Sequence, residues 1–166
     1  MKKVLIADKA DAICEKVLRE RGLEPVVRTG MKPEELKACI AEFDAIIVRS
    51  ATTLTCDLLA AATNLKAVAR AGSGVDNIDV PTCTGKKVVV MNTPFGNTIS
   101  TAEHAIAMMM ALARHIPQAS ASTHAGKWEK KKFEGVELTG KTLGVVGCGN
   151  IGAVVADRAI GLKMKV

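Results

Sequence analysis

The sequence has few aromatic rings, no paired cysteine motif and no long apolar run. Of 166 residues one is Trp, three are Phe and none is Tyr, too few platforms for a protein that stacks nucleic-acid bases. The five cysteines, Cys14, Cys39, Cys56, Cys83 and Cys148, are odd in number and widely separated. None falls in a C-x-x-C or C-x-x-H spacing, which argues against zinc and against a disulfide framework. No stretch approaches the roughly 20 apolar residues of a membrane span. The N-terminus does not read as a secretory leader, and with the free thiols this points to the cytoplasm. Neither nucleic acid nor membrane is an expected partner.

Apolar residues make up 48% of the chain, enough for a sizeable core and too many for a disordered protein. The length suits one domain, or one domain and part of another. A formal charge of +6 suits small anionic ligands or a polyanion, although a lysine-rich solvated surface explains it as readily.

The most informative stretch is residues 141–152, KTLGVVGCGNIG. A short apolar run at 143–146 reads as a buried strand, then Gly147, Gly149 and Gly152 give G-x-G-x-x-G, and a helical segment at 151–162 follows. Strand, glycine turn and helix in that order are what a dinucleotide fingerprint requires. Gly147 permits the tight turn, Gly149 lets backbone approach a pyrophosphate, and Gly152 lets the helix pack closely on the strand. The helix N-terminus offers N–H groups to the phosphates. A glycine turn without a ligand is the competing reading of the motif alone.

Upstream, apolar runs at 3–7, 25–27, 45–48, 67–69 and 88–91 read as strands. Helical spacings at 10–21 (closed by Gly22), from Pro33 onward and at 54–62 lie between them. That alternation predicts an α/β fold with a parallel sheet, whose ligands bind outside the carboxyl ends of the strands. Two positions meet this condition. Arg49 and Ser50 follow one strand, and Arg70 opens the turn Arg70-Ala71-Gly72-Ser73-Gly74-Val75 after the next. The glycines there would present backbone N–H groups as an anion nest, and each arginine adds a planar fork. A tight turn with two surface arginines is the plainer alternative.

The division between domains is expected between residues 91 and 100, giving a substrate-binding part at 1–95 and a second part at 96–166. Ser100 to Glu103 matches a capping box and should open a helix that Pro117 stops. Its centre, AIAMMMALA, is nearly all apolar and must be covered on most sides, which suggests an interdomain or subunit interface. His104, His115 and His124 read as structural. The basic run 127–132, KWEKKK, is either a solvated loop or an arm aimed at an anion with Trp128 anchoring its root.

The blocks VRSATTLT (48–55), RAGSGVDNID (70–79), MNTPFGNTISTAEHA (91–105), HAGKWEKKKFEG (124–135) and TLGVVGCGNIG (142–152) occur in this order. Together they resemble the D-isomer-specific 2-hydroxyacid dehydrogenase family, with VRSAT and KWEKKKF resembling its phosphoglycerate branch. The resemblance implies a flavodoxin-like parallel-sheet substrate domain followed by the first βα unit of a Rossmann domain that the chain leaves incomplete. It also implies NAD-dependent oxidation of 3-phosphoglycerate at the 2-hydroxyl, the entry step to serine, in a homodimer or homotetramer. By the same resemblance Arg49, Ser50, Arg70, Gly74, Val75 and Asn97 contact substrate, with its carboxylate on the backbone of Gly74 and Val75. Lys130 and Lys131 reach its phosphate. Ser73 touches the nicotinamide end of the cofactor, and Gly147, Gly149, Asn150, Ile151 and Gly152 hold its pyrophosphate.

Three positions depart from the family pattern: Asn150 stands for a frequent Arg, Cys148 for Leu or Tyr, and Lys87 for a Gly that leads into a strand. If the backbone at Lys87 needs positive φ, that residue carries strain. The acidic residue expected about 20 positions beyond the glycines is not among residues 161–166. The family's catalytic Arg, Glu and His also have no counterpart, so these 166 residues alone are expected to be inactive. An NAD-sensing corepressor of the same fold and a non-catalytic dimerising fragment are the competing functional readings.

Overall fold

The computed structural model describes residues 1–166, which divide into two compact units, Met1–Gly96 and Asn97–Val166. The first contains β1 (Lys3–Ile6), α1 (Ile13–Glu20), β2 (Glu24–Val27), α2 (Pro33–Cys39), β3 (Ala45–Val48), α3 (Cys56–Ala61), β4 (Ala67–Arg70), α4 (Val80–Gly85) and β5 (Val89–Asn92). The strands form one sheet in the order β2-β1-β3-β4-β5, and every pair is parallel. This is the flavodoxin-like order, in which the switch point lies between β1 and β3.

Parallel strands packed by helices read as apolar runs rather than alternations. In AIIV of β3, Ile46 and Val48 are fully buried on one face, with Leu5 and Val68 equally closed off beside them, while Ala45 and Ile47 on the other face are half-buried. Leu36, Ile40, Phe43, Leu58 and Leu59 complete the same core from the helical side. Register then places chemistry at the edge. Val48 pairs with Arg70, and Arg70 pairs with Asn92, so the ends of β3, β4 and β5 stand in one row.

α4 has no counterpart among the elements expected from sequence. Its residues VPTCTG are poor helix formers, but Asp79 Oδ1 accepts from Thr82 N at 2.9 Å as its N-cap, and Pro81 sits in the first turn. It ends in a Schellman motif: Val88 N donates to Cys83 O at 2.8 Å and Lys87 N to Thr84 O at 3.0 Å. The residue at the left-handed position is Lys87, with φ of 58°, so the positive φ anticipated there is present. Lys163 closes α7 (Asn150–Gly161) in the same way, with φ of 60°.

The second unit holds α5 (Thr98–Ala113), α6 (Ile116–His124), a short 3-10 turn Lys130–Phe133, and α7. α5 packs on α7 through small residues, Ala102 and Ala159, both fully buried. Several sequence expectations need correction here. α5 begins at Thr98 with Asn97 as N-cap, so Ser100 lies inside the helix and its Oγ donates back to Asn97 O at 3.1 Å. α5 stops where His115 turns left-handed at φ 51°, and Pro117 falls in the first turn of α6, where its missing N–H costs nothing. Within this single chain only Thr98 and Ala102 of α5 are buried, and Ile99, Met108 and Leu112 are half or more exposed, so the face expected at an interface is open here. Residues 143–146 are not a buried strand. The only bridge there joins Thr142 to Lys165, and Val146 is fully exposed because the segment has a neighbour on one side alone. No helix is long and apolar enough to cross a membrane.

Replacing Lys87 by Gly removes a left-handed strain of about 1–2 kcal/mol and adds roughly 0.5–1 kcal/mol of unfolded-state entropy. The expected net result is a gain of about 0.5–1 kcal/mol, read as a higher urea midpoint at unchanged m-value. A loss of stability would show that the lysine makes compensating contacts.

Candidate functional site

Two turns that leave backbone N–H groups free can be built from the residues up, one in each unit. In the first unit β1 delivers Asp8 to the carboxyl edge of the sheet beside the start of the β3–α3 loop. Asp8 is buried, and its carboxylate accepts from Arg49 N at 2.5 Å, Thr52 N at 3.2 Å and the Thr52 hydroxyl at 2.6 Å. Burial by itself would raise this carboxyl. The Thr52 hydroxyl and the N–H groups of Arg49, Thr52 and Ala51 outweigh it and hold the group below its ordinary value. Arg49 is exposed, and its Nη1 donates to Lys9 O at 3.2 Å.

Arg70, the last residue of β4, is differently committed. Its side chain is only 12% exposed, its Nε donates to Arg49 O at 3.2 Å, and its Nη1 lies 3.2 Å from Asp76 Oδ1. After it the chain turns sharply, with Gly72 N on Arg70 O and Ile78 N on Val75 O. These bonds leave out the N–H groups of Gly74 and Val75. A Cβ at Gly74 would come within 2.8 Å of Asp76 Oδ1 and 3.0 Å of Arg70 Nη1, so only glycine lets the pair close over this backbone. Asn92 Nδ2 holds Ser73 O at 2.7 Å from the β5 side. Arg49, Ser50, Arg70, Ser73, Gly74 and Val75 thus share one edge of one unit. A cavity of about 300 Å³ lined by Met31, Leu36, Ala51, Thr52 and Leu58 also lies in this unit, but neither arginine lines it.

In the second unit the glycine turn leads into α7, whose N-cap is Gly149 and which has no side-chain cap. Gly147 has φ of 91°, and a Cβ at Gly152 would meet Gly147 O at 2.3 Å, which fixes the third glycine by close packing. A Cβ at Gly149 would meet nothing within 4 Å. Open space over that glycine and the unbonded first N–H groups of α7, at Asn150, Ile151 and Gly152, are what a pyrophosphate needs, so these residues fit a dinucleotide.

Asn97 stands at the head of α5, and Lys130 and Lys131 are exposed on the 3-10 turn. Trp128 does not anchor that turn, being 84% exposed. Glu129 does: it accepts from Ser122 Oγ at 2.8 Å and from Lys132 Nζ at 3.2 Å, and these bonds lower its carboxyl. His124 Nδ1 lies 2.8 Å from Ser120 O, a contact within its own helix. No group of three His, Cys, Asp or Glu side chains converges as a metal site. The residues that sequence reasoning missed are Asp8, Thr52 and Asn77: the last two lie inside the blocks 48–55 and 70–79, but only the structure shows Asp8 accepting from Thr52 and Asn77 Nδ2 donating to the carbonyls of Arg49 and Thr52.

A parallel sheet in flavodoxin-like order, followed by a glycine turn at a helix N-terminus, is compatible with a dinucleotide-binding dehydrogenase, and the comparisons give the family. Residues 4–156 match the family described as D-isomer specific 2-hydroxyacid dehydrogenase, catalytic domain, and the chain belongs to that family. Among named relatives, the D-3-phosphoglycerate dehydrogenase of Archaeoglobus fulgidus is 52% identical over 164 residues, covering 99% of this chain. The human protein of the same name is 50% identical over 165 residues. The chain spans 31% of the length of each of these relatives. Among solved structures, the NAD-dependent formate dehydrogenase of Staphylococcus aureus in complex with NAD superposes with a TM-score of 0.85 at 26% identity. That match covers 99% of this chain and 54% of the other.

A carboxyl lowered on folding stabilises the fold fully above its ordinary value of 3.8, and that stabilisation is lost as pH falls through its folded-state value. Wild type should therefore lose stability steeply below about pH 4. Asp8→Asn should be less stable at neutral pH and show a flatter acid limb in thermal melts. Parallel acid limbs would mean that Asp8 does not carry the linkage.

Proposed function

We propose that this chain supplies the substrate lobe and the first nucleotide-binding βα unit of an NAD-dependent dehydrogenase that oxidises 3-phosphoglycerate at its 2-hydroxyl, the entry step to serine. The observation that carries the reading is the edge formed by Arg49, Arg70 and the Gly74–Val75 backbone, in a chain half identical to proteins named for that activity.

The substrate has an anion at each end. Its carboxylate is assigned to the Gly74 and Val75 N–H groups, with Arg49 and the remaining donors of Arg70 neutralising charge around it. Ser50 and Asn97 are assigned to the substrate as well, and the compact ammonium groups of Lys130 and Lys131 suit its phosphate. The α7 N-terminus, with Gly147, Gly149, Asn150, Ile151 and Gly152, is assigned to the cofactor pyrophosphate, and Ser73 to its nicotinamide end. NAD held at α7 would supply the hydride acceptor. The chain's own residues hold and orient the anionic groups of substrate and cofactor. We do not assign proton removal to His104, His115 or His124, and the 166 residues alone are proposed to bind without turnover. The five free thiols favour a cytoplasmic setting.

Titration of the chain with 3-phosphoglycerate by calorimetry or NMR should show binding that Arg49→Ala weakens about tenfold, the usual cost of a lost charge-assisted contact, and no NADH should form. Absence of binding, or binding indifferent to Arg49→Ala, would overturn the substrate reading.

The exposed Ile99, Met108 and Leu112 on α5 are the surface we assign to a second copy of this chain. Leu112→Glu should shift sedimentation from dimer to monomer at micromolar concentration. An unchanged sedimentation coefficient would remove α5 from the interface.

A further inference from the structure

The Arg49–Thr52 loop is gripped from two sides by residues with no assigned role. On the N–H side, the Asp8 carboxylate takes the backbone N–H of both Arg49 and Thr52 together with the Thr52 hydroxyl. On the carbonyl side, Asn77 Nδ2 donates to Arg49 O at 2.7 Å and to Thr52 O at 2.6 Å. The same two residues of the loop are therefore held at both ends of their peptide groups. The guanidinium of Arg49 is tied to the chain beside Asp8 as well, through Lys9 O.

The orientation of Asn77 has only one workable state. Turning the amide over would set its oxygen against two carbonyl oxygens. As placed, both donations are made and Oδ1 is left buried without a partner. An apolar side chain here would spare Oδ1 but leave the Thr52 carbonyl without this donor and the Arg49 carbonyl with Arg70 alone. Here the two donors from one nitrogen are what the loop uses.

We infer that Asp8 and Asn77 form a two-sided clamp whose function is to aim Arg49 at the anionic substrate, which makes them positioning residues for the site. The inference rests on the reading of Arg49 as an anion ligand. Arg49 itself is exposed, and a free arginine side chain samples many rotamers. With its backbone fixed at N–H and carbonyl and its guanidinium steered by Lys9 O, fewer of those rotamers remain to be lost when an anion binds. Preorganisation of this kind appears as affinity.

The test uses isosteric changes in the 166-residue chain. Asp8→Asn places an amide among donors, Asn77→Asp places a carboxylate among carbonyl oxygens, and Thr52→Val removes one hydroxyl. Two quantities are read: the dissociation constant for 3-phosphoglycerate, and the relaxation of the Arg49 side-chain Nε–H signal in the absence of ligand. Asp8→Asn and Asn77→Asp should each weaken binding about tenfold, and Thr52→Val about threefold, with the Arg49 signal more mobile in all three. A clamp that merely stabilised the fold would lower the melting temperature and leave both readouts unchanged well below it, and that result would overturn the inference. If either isostere fails to fold, Thr52→Val decides alone, and wild-type affinity in it counts against the clamp. Should the wild-type chain not bind 3-phosphoglycerate, the substrate reading falls. The ligand-free Arg49 relaxation then still judges the clamp, and equal mobility in wild type and variants sinks it.

Discussion

The carboxyl edge of a parallel sheet is where the ladder of backbone hydrogen bonds ends and the loops must find other partners. In the first unit the Asp8 carboxylate supplies them, accepting from Arg49 and Thr52. Because β1 is the strand next to β3, one side chain at its end can serve the whole loop that follows β3. The buried charge is tolerable because it is surrounded by donors, the arrangement in which a carboxylate stays ionised in spite of desolvation. Asp8 thus fixes the N–H side of the Arg49–Thr52 segment, while Asn77 and Arg70 hold its carbonyls from the other.

Much of this was legible before any coordinates. The apolar run at 45–48 is β3 residue for residue, because a central parallel strand is apolar at successive positions and needs no alternation to reveal it. Arg49 and Arg70 were legible as edge residues for the same reason: they end such runs. What could not be read is the clamp. Asp8 and Arg49 are 41 residues apart and Asn77 and Thr52 are 25 apart, and no spacing rule connects them until strand order and register are known. α4 was hidden by a weak composition, although Asp79 and Pro81 were the signal available. Trp128 misled because a large ring beside charges suggests an anchor, whereas Glu129, held by Ser122 and Lys132, carries that part.

The two glycine turns depend on an absent side chain for different reasons. At Gly74 the absent side chain makes room for a salt bridge between Arg70 and Asp76 lying over the backbone. At Gly152 it lets one turn of backbone rest against another, with the Gly147 carbonyl where a Cβ would be. The first glycine is fixed by side chains and the second by backbone. Substitution at Gly74 can be absorbed by moving the exposed Asp76, while at Gly152 the helix itself must shift.

Arg70 shows why a residue in such a site resists a single role. Its Nε supports Arg49 O and its Nη1 faces Asp76, so part of its donor fork is spent inside the unit before any ligand arrives. The Asp76 pair is the weaker of these commitments, since that carboxylate is 82% exposed and screened by solvent. An incoming anion can therefore compete for Nη1 without disturbing Nε. Removing Arg70 would take away the Asp76 ion pair and one of the donors that hold the Arg49 carbonyl, and the two losses would not add as independent terms. Removing the Arg49 side chain costs within the unit only its contact to Lys9 O, because its backbone contacts to Asp8 and Asn77 survive any change of side chain other than proline.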